Sequence, residues 1–346
     1  MESLAKRRLI RLGVLCGVLL SLVVACSSST TSSTTAGAAG GGSGAAKARS
    51  LNDINIAAFY SPTNNAYVDA FNRTAASVSK ELGAKLTVFG SNDVSTQIQQ
   101  IQSASTSGRY NAWIVSATDP NQECSLILNQ AKKIPILIIN QGLCGHDTYT
   151  DGTVAFVGGQ TSAIYKQYYD YIAKDNPSGG NVILLTGPNL NYNTINAVNQ
   201  FKELTTAKPS FKTVASQQID YTSATAYDAT TSLLRAHPET NILITNYSDM
   251  TVGAARAIAQ LGLSSKVRVY DLGASKQALA DVKAGRIRMA YPLLPVEEMA
   301  TAIRVMADHW QGKSVEKVYL DTDQLQKFAG SPFITSANVD KFTPAY

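Results

Sequence analysis

The sequence predicts an α/β fold made of parallel sheets in two lobes. Short apolar runs alternate with longer segments whose apolar residues recur every three to four positions, the pattern of strands followed by amphipathic helices. The alternation runs through two successive series, and repeated βα units of this kind form parallel sheets with right-handed crossovers. The 296 residues that follow position 50 are enough for two lobes of ordinary domain size.

The first βα unit also predicts a candidate site. An apolar strand at 54–59 leads through a polar turn into a helix that ends at Gly83. In open parallel sheets, ligands bind where such strands end. Asn64, Asn65 and Tyr67 are therefore predicted to form one wall of a ligand cleft. The alternative interpretation is an ordinary Asn-Pro turn followed by a surface helix.

The remaining elements follow in alternating order, and the second series is predicted to begin near Phe156. An apolar run at 134–139 has the character of a central parallel strand and delivers Asn140 and Gln141 at its end. The other predicted strands are 86–89, 112–115, 181–185, 214–219, 242–245, 267–270 and 288–292. The predicted helices are 94–107, a segment through 126–127, 163–174, a segment ending near 204, 224–236, 250–261, 276–284 and 296–311.

Residues 1–25 have the pattern of a lipoprotein signal peptide. Four basic residues precede an apolar run at 12–25 that is too short to span a bilayer comfortably. The run ends in Leu-Val-Val-Ala-Cys, which resembles the lipobox of bacterial lipoproteins, with Cys26 as the acylated residue. The alternative is a signal peptide that is cleaved without acylation. Acylation would anchor an extracytoplasmic protein to the cell membrane.

Residues 26–50 are predicted to be a flexible tether, because Ser, Thr, Gly and Ala cannot bury enough apolar surface to fold. No apolar segment long enough to span a membrane follows the tether. The whole chain carries a formal charge of +5, but removing residues 1–25 leaves 26 basic and 24 acidic side chains. Nucleic acid is therefore not indicated as a partner.

The two cysteines that follow the tether have two interpretations. In an exported chain, Cys124 and Cys144 are predicted to form a disulfide that closes a loop of about twenty residues, worth on the order of 3 kcal/mol. The alternative is two free buried thiols. A zinc site is disfavoured, because neither cysteine has a CxxC partner and the chain has only three histidines.

No motif for catalysis or for a cofactor is found. The chain contains neither a phosphate-binding GxxxxGK[ST] loop nor a GxGxxG turn. His146, His237 and His309 are far apart in sequence, and none belongs to a nucleophile elbow. We therefore predict a protein that is not an enzyme and that uses neither cofactor nor metal.

Several short segments along the chain each resemble a segment of one known protein family, and they occur in the same order as in that family. They are Asn64-Asn65-Ala66-Tyr67, Ala117-Thr118-Asp119, Ala215-Ser216-Gln217, Met250-Thr251-Val252-Gly253-Ala254 and Ala284-Gly285-Arg286-Ile287. The first resembles the Asn-Asn-Pro-Phe turn, and the second the Pro-Thr-Asp segment, of periplasmic sugar-binding proteins of the ribose-binding type. This resemblance to the type I solute-binding proteins of ABC importers covers residue 54 to about residue 317.

The resemblance implies two Rossmann-like lobes joined by a three-strand hinge. The N-terminal lobe would comprise 51–155 plus 294–322, and the C-terminal lobe 156–293 plus 323–346. A small polar ligand would bind between the lobes of a monomer and close them, and an ABC transporter permease would recognise the closed form. The same fold could instead serve as the ligand-sensing input of a membrane receptor or histidine kinase.

The resemblance also implies the site. Its ligand-binding positions fall on Asn65, Tyr67, Asn140, Gln141 and Tyr221. Asn246 and Asp271, which lie close to two further positions of the family pattern, are added as predicted ligand-binding residues. Aromatic rings beside carboxamides suit a sugar-like molecule, because rings stack on C–H faces while amides pair with hydroxyls.

Several positions depart from the sugar-binding pattern. An Asp-Arg pair of the family is Asn140-Gln141 here, its arginine in a later helix aligns with Ile195, and its later aspartate falls on Gly273, two residues from Asp271. We therefore expect a small polar ligand with fewer hydroxyls or a different shape, such as a polyol, a modified sugar or an autoinducer-like furanosyl compound. The alternative is that waters and neighbouring side chains replace the missing groups; the candidates are Asn189, Asn191, Asn193, Asn246 and Asp271.

Overall fold

The computed structural model describes residues 49–60, 65–320 and 331–346. The signal peptide, the acylation site at Cys26, nearly all of the tether, and Asn64 lie outside these residues. None of the helices in the described part of the chain is both long enough and apolar enough to cross a membrane.

The chain alternates strands and helices from its first described residues. A short 3₁₀ helix, Leu51–Asp53, precedes them. The first elements are β1 (Asn55–Tyr60), α1 (Ala66–Leu82), β2 (Lys85–Gly90), α2 (Val94–Ser107), β3 (Ala112–Val115), α3 (Cys124–Ala131), β4 (Ile136–Ile139) and β5 (Phe156–Gly158).

The next elements continue the alternation. They are α4 (Ser162–Asp175), β6 (Gly180–Thr186), α5 (Tyr192–Ala207), β7 (Phe211–Gln218), α6 (Ser223–Ala236), β8 (Ile242–Thr245), α7 (Ser248–Gln260), β9 (Arg268–Gly273), α8 (Lys276–Lys283), β10 (Met289–Pro292), α9 (Pro295–Trp310) and β11 (Val318–Leu320). A second 3₁₀ helix, Val339–Lys341, follows in the tail.

The strands form two parallel sheets, which confirms the predicted α/β class. Within the described residues, the first sheet has the order β11-β5-β4-β3-β1-β2 and the second has the order β10-β9-β8-β6-β7. The crossover helices cover the faces of the sheets. In β1, for example, Ile56 and Ala58 join one apolar cluster while Ala57 and Phe59 join another on the opposite face. A strand buried on both faces is what a near-continuous apolar run predicts.

The sequence suggested that the second series of strands begins near Phe156, and the structure corrects this prediction. β5 pairs with β4 and with β11, so Phe156–Gly158 belongs to the first sheet. The strands of the second sheet start with β6, and α4 packs against α5 beside them. The physical reason is that β5 is completed by β11, a partner more than 150 residues away, which no local pattern reveals.

The chain passes between the lobes at several points. It leaves the first sheet after β5, returns after β10 into α9, and α9 packs on α1. After β11 it reaches the second lobe again, where Ile334 pairs with Ala290 of β10. The intervening residues 321–330 are outside the described part of the chain.

The described residues include a disulfide between Cys124, the first residue of α3, and Cys144, in the loop after β4. It joins two segments of the first lobe that both lie near the carboxyl end of the first sheet.

We expect the double substitution Cys124→Ser/Cys144→Ser to lower the free energy of unfolding by about 3 kcal/mol, because it frees a 20-residue loop in the unfolded chain. Urea denaturation measures the loss. Wild-type protein unfolded in a reductant should behave like the double variant. Equal midpoints for the oxidised wild type and the double variant would contradict the prediction.

Candidate functional site

A cleft lies between the carboxyl ends of the two sheets. It encloses about 460 Å³ of space, its mouth to solvent included. Side chains of both lobes line it: Asn65, Tyr67, Asn140, Gln141, Gln160, Asn191, Asn193, Tyr221 and Tyr247. The set consists of carboxamides and phenols, so the cleft offers hydrogen-bond donors, acceptors and ring faces without a formal charge.

The first wall is built at the start of α1. Asn65 is the N-cap of this helix, and its side-chain oxygen accepts a hydrogen bond of 2.9 Å from the Val68 N–H. Such capping fixes the first helical turn. Tyr67 lies in that turn with only 7 % of its surface exposed, and its ring packs on Phe71 at a centroid distance of 5.1 Å.

A buried glutamate side chain behind this wall orients two of its residues. Glu298 is in the first turn of α9, and its Oε2 accepts hydrogen bonds from the Tyr67 hydroxyl (3.2 Å) and from Asn140 Nδ2 (3.1 Å). Asn140 Nδ2 also donates to the Tyr67 hydroxyl at 2.8 Å. Buried polar groups that share such a network favour one arrangement of their side chains. Glu298 therefore fixes the ring and the amide in one arrangement.

Asn140 follows β4 with φ of 73°, in the left-handed region that asparagine tolerates better than most residues. The next residue, Gln141, links the two lobes. Its Nε2 donates to the Ala117 carbonyl of the first lobe (2.8 Å), and its Oε1 accepts from the Tyr192 N–H of the second (2.7 Å).

The opposite wall is formed by Tyr221, which follows β7, and Tyr247, which follows β8. Their rings meet edge to face at 5.6 Å and 84°. The Tyr221 hydroxyl lies 3.0 Å from Thr194 Oγ1. A Cβ at Gly187 would lie 2.0 Å from the Tyr221 ring, so only glycine at that position leaves room for the ring.

Two predicted site residues lie behind the cleft instead of lining it. Asn246 accepts a hydrogen bond from the Gly187 N–H and donates to Thr194 Oγ1, so it holds the backbone and side chain that support Tyr221. Asp271 is fully buried and accepts hydrogen bonds from Ser248 Oγ (2.9 Å) and from the Ala274 N–H (2.8 Å). Asn246 follows β8 as the sequence predicted, whereas Asp271 lies within β9, two residues before its end, because that strand continues to Gly273. The sequence could not show what covers either residue.

The cleft also contains residues that the sequence did not single out. Gln160 follows β5 and was missed because that strand was assigned to the other lobe. Glu298 was missed because it acts from behind the wall, although an acidic residue beside Met299 on an apolar helix face could have drawn attention to it. Asn191 and Asn193, named as substitutes for the family's charged groups, do line the cleft, whereas Asn189 does not.

A second contact between the lobes lies beside the cleft. The Tyr192 hydroxyl of α5 donates to Asn121 Oδ1 at 3.0 Å and accepts from the Gly145 N–H at 2.5 Å. Both partners belong to the first lobe, three residues before Cys124 and one residue after Cys144. The disulfide therefore tethers the two segments that receive this hydroxyl.

Metal ligands do not cluster in the described residues, where no group of three or more His, Cys, Asp or Glu side chains could hold an ion. The side chains that line the cleft are amides and phenols, none of which carries a formal charge.

Burial raises the pKa of Asp271 from its usual 3.8 to about 6, despite hydrogen bonds that favour the charged form. Because the folded state holds this proton more tightly than the unfolded chain, the group stabilises the fold most below about pH 4. That stability is lost as the pH rises through about 6.

We expect Asp271→Asn, which keeps an acceptor but does not titrate, to flatten the pH profile of unfolding by on the order of 3 kcal/mol between pH 4 and 7. Urea titrations at several pH values measure it, with the exposed Asp228→Asn of α6 as the matched control. Parallel profiles for wild type and Asp271→Asn would contradict the prediction.

Comparisons with known proteins agree with this architecture. Residues 56–314 match the family model of the periplasmic binding protein domain. The ribose import binding protein of Salmonella typhimurium is 24 % identical over 276 residues, which cover 79 % of this chain and 90 % of the relative. The fructose import binding protein of Bifidobacterium longum is 25 % identical over 235 residues, 65 % of this chain and 69 % of the relative.

Solved structures share the fold. The Caulobacter myo-inositol binding protein, bound to myo-inositol, has a TM-score of 0.72 and 23 % identity, with 86 % of this chain and 97 % of that one covered. A carbohydrate transporter solute binding protein from Agrobacterium radiobacter, in complex with D-arabinose, has a TM-score of 0.72 and 22 % identity, with 82 % and 95 % covered. The resemblance drawn from the sequence is confirmed, and this chain belongs to the periplasmic binding protein domain family.

Proposed function

We propose that the protein captures a small, neutral, polar molecule, which is a sugar, a polyol or a sugar-like compound, between its lobes and delivers it to the permease of an ABC importer. The observation that carries the proposal is the composition of the walls. Both lobes contribute rings and carboxamides, and no charged side chain is among the described residues that line the cleft. Rings stack on the C–H faces of such a ligand, and amides both donate to and accept from its hydroxyls.

The names of the relatives support this ligand class. They include import binding proteins for ribose and fructose and a D-allose-binding periplasmic protein of Escherichia coli. Structural neighbours hold D-arabinose and myo-inositol. Because Asn140 and Gln141 replace a charged pair of the family, the hydroxyls of the ligand would be paired mainly by amides. A ligand with few hydroxyls, as the sequence suggested, fits this set best.

Closure of the lobes would couple binding to delivery. Only a closed state lets the wall of Tyr67 and the wall of Tyr221 contact one ligand together. Gln141 and Tyr192 already join the lobes by hydrogen bonds beside that space. A permease could then distinguish the closed from the open form by the relative position of the lobes.

The proposed place of action is the outer surface of the cell membrane. Acylated Cys26 would anchor the chain to the membrane, and residues 26–50 would be a flexible linker between the anchor and the lobes. The two lobes would work as a monomer. The proposed lobes remain 51–155 plus 294–322 and 156–293 plus 323–346, apart from β5, which pairs in the first sheet. No reaction is assigned to the cleft.

We expect a thermal-shift screen of pentoses, hexoses and polyols to identify a ligand. At 100 times its dissociation constant, a ligand adds about 2.7 kcal/mol to the free energy of unfolding. Tyr67→Ala and Tyr221→Ala should each abolish that shift, because each removes one wall. Tyr227→Ala of α6, whose ring lies under Arg256 outside the cleft, is the control. Full affinity in both wall variants would rule out the proposed walls.

We expect Tyr192→Phe to weaken ligand binding although its hydroxyl does not line the cleft. The substitution removes two hydrogen bonds between the lobes, each worth about 1 kcal/mol, so the dissociation constant should rise roughly tenfold or more. Isothermal titration calorimetry measures it, with Tyr227→Phe as the matched control. An unchanged dissociation constant would show that this contact does not contribute to closure.

A further inference from the structure

The segment after residue 330 carries a tyrosine into the space between the lobes. Ile334 pairs with Ala290, with hydrogen bonds of 2.8 and 2.9 Å, and Lys283 contacts Asp340 at 2.6 Å, so the segment is held on the second lobe. Further along, the carbonyl of Tyr346 accepts a hydrogen bond of 2.7 Å from the N–H of Lys276, the first residue of α8.

The side chain of Tyr346 contacts both lobes. Its ring meets the ring of Tyr67 edge to face, at a centroid distance of 5.4 Å and an angle of 83°. Its hydroxyl donates to the carbonyl of Gly273, the last residue of β9, at 2.9 Å. Tyr67 belongs to the wall of the first lobe and Gly273 to the carboxyl edge of the second sheet. The ring thus spans the space between them.

The hydroxyl of Tyr346 lies next to the Ser248 hydroxyl, which donates a hydrogen bond to Asp271. A Cβ built on Gly273 would lie 2.8 Å from this hydroxyl and 2.4 Å from Ser248 Oγ, so the two oxygens face the same small space. Ser248 Oγ donates to Asp271 Oδ2 at 2.9 Å. The sequence predicted that Asp271 would face a ligand. In the structure, the side chain of Tyr346 lies between the Ser248–Asp271 pair and Tyr67.

We propose that Tyr346 is a specificity-determining residue of the cleft, because its ring fills the space between Tyr67 and the Ser248–Asp271 pair. This inference rests on the proposed function and adds a limit on ligand size. A ligand with a substituent directed toward Asp271 would have to displace the ring and break its hydrogen bond to Gly273. A smaller ligand, held by the amides and by Tyr221, leaves the ring in place.

D-ribose and D-allose form a matched pair that tests this limit on ligand size. The pyranose of D-allose carries the same ring hydroxyls as the pyranose of D-ribose and one additional hydroxymethyl group. A difference of one carbon group in a filled pocket changes binding by 10- to 200-fold. Removal of the ring would make room for that group and would expose Asp271 as an acceptor for its hydroxyl.

The test is the ratio of the dissociation constants of D-ribose and D-allose, measured by calorimetry on wild type and variants. We expect Tyr346→Ala to shift the ratio at least tenfold toward D-allose. Tyr346→Phe, which keeps the ring, should leave the ratio within twofold of wild type, as should Tyr227→Ala. If Tyr346→Ala does not fold, Tyr346→Leu, which shortens the side chain but keeps an apolar contact with Tyr67, takes its place.

The outcomes separate the two proposals. Binding of both sugars by the wild type with an unchanged ratio in the folded Tyr346 variant overturns this inference alone. Binding of D-allose by the variant but not by the wild type supports it. If neither protein binds any member of the wider screen of pentoses, hexoses and polyols, the proposed function is wrong and this inference falls with it.

Discussion

The direction of the strands is the constraint on which the rest of this structure depends. In a parallel sheet with right-handed crossovers, every strand delivers its carboxyl end to the same edge. Two such sheets with these edges facing each other place the start of α1 and the segments after β4, β5, β6, β7 and β8 around one space. Polar side chains can occupy those turns without disturbing the apolar strands that precede them. The cleft is therefore a consequence of topology, and its chemistry depends on which residues follow the strands.

The walls are held in place by polar groups that do not face the cleft. Glu298 fixes Tyr67 and Asn140 from behind, and Asn246 supports the turn against which Tyr221 packs. Buried polar groups are costly unless they are paired, and paired networks favour one arrangement. A binding surface of flexible amides would lose much of its affinity to ordering the side chains. Here that ordering is completed during folding, which is the physical basis of a preformed site.

Polar contacts between the lobes lie beside the cleft. Gln141 and Tyr192 join the lobes by a few hydrogen bonds, and the ring of Tyr346 adds an apolar contact with Tyr67. Hydrogen bonds of this kind exchange with water at little net cost. The disulfide stiffens the part of the first lobe that receives Tyr192, so that a weak contact meets a fixed surface. The disulfide thus stabilises the first lobe, whereas the contact between the lobes depends on hydrogen bonds that can break and reform.

The sequence by itself determined the α/β class, the order of nearly all strands and helices, and the position of Asn65, Tyr67, Asn140, Gln141 and Tyr221 at strand ends. These features follow from apolar periodicity and turn residues, which act over a few neighbouring positions. Only the tertiary structure decided that β5 pairs with β11, that Glu298 lies behind Tyr67, and that Tyr346 separates Tyr67 from Asp271. It also decided between the two interpretations of Cys124 and Cys144, in favour of the predicted disulfide. Each of these depends on contacts between segments from about 20 to more than 270 positions apart, and such contacts arise from packing of the whole chain, which local patterns do not encode.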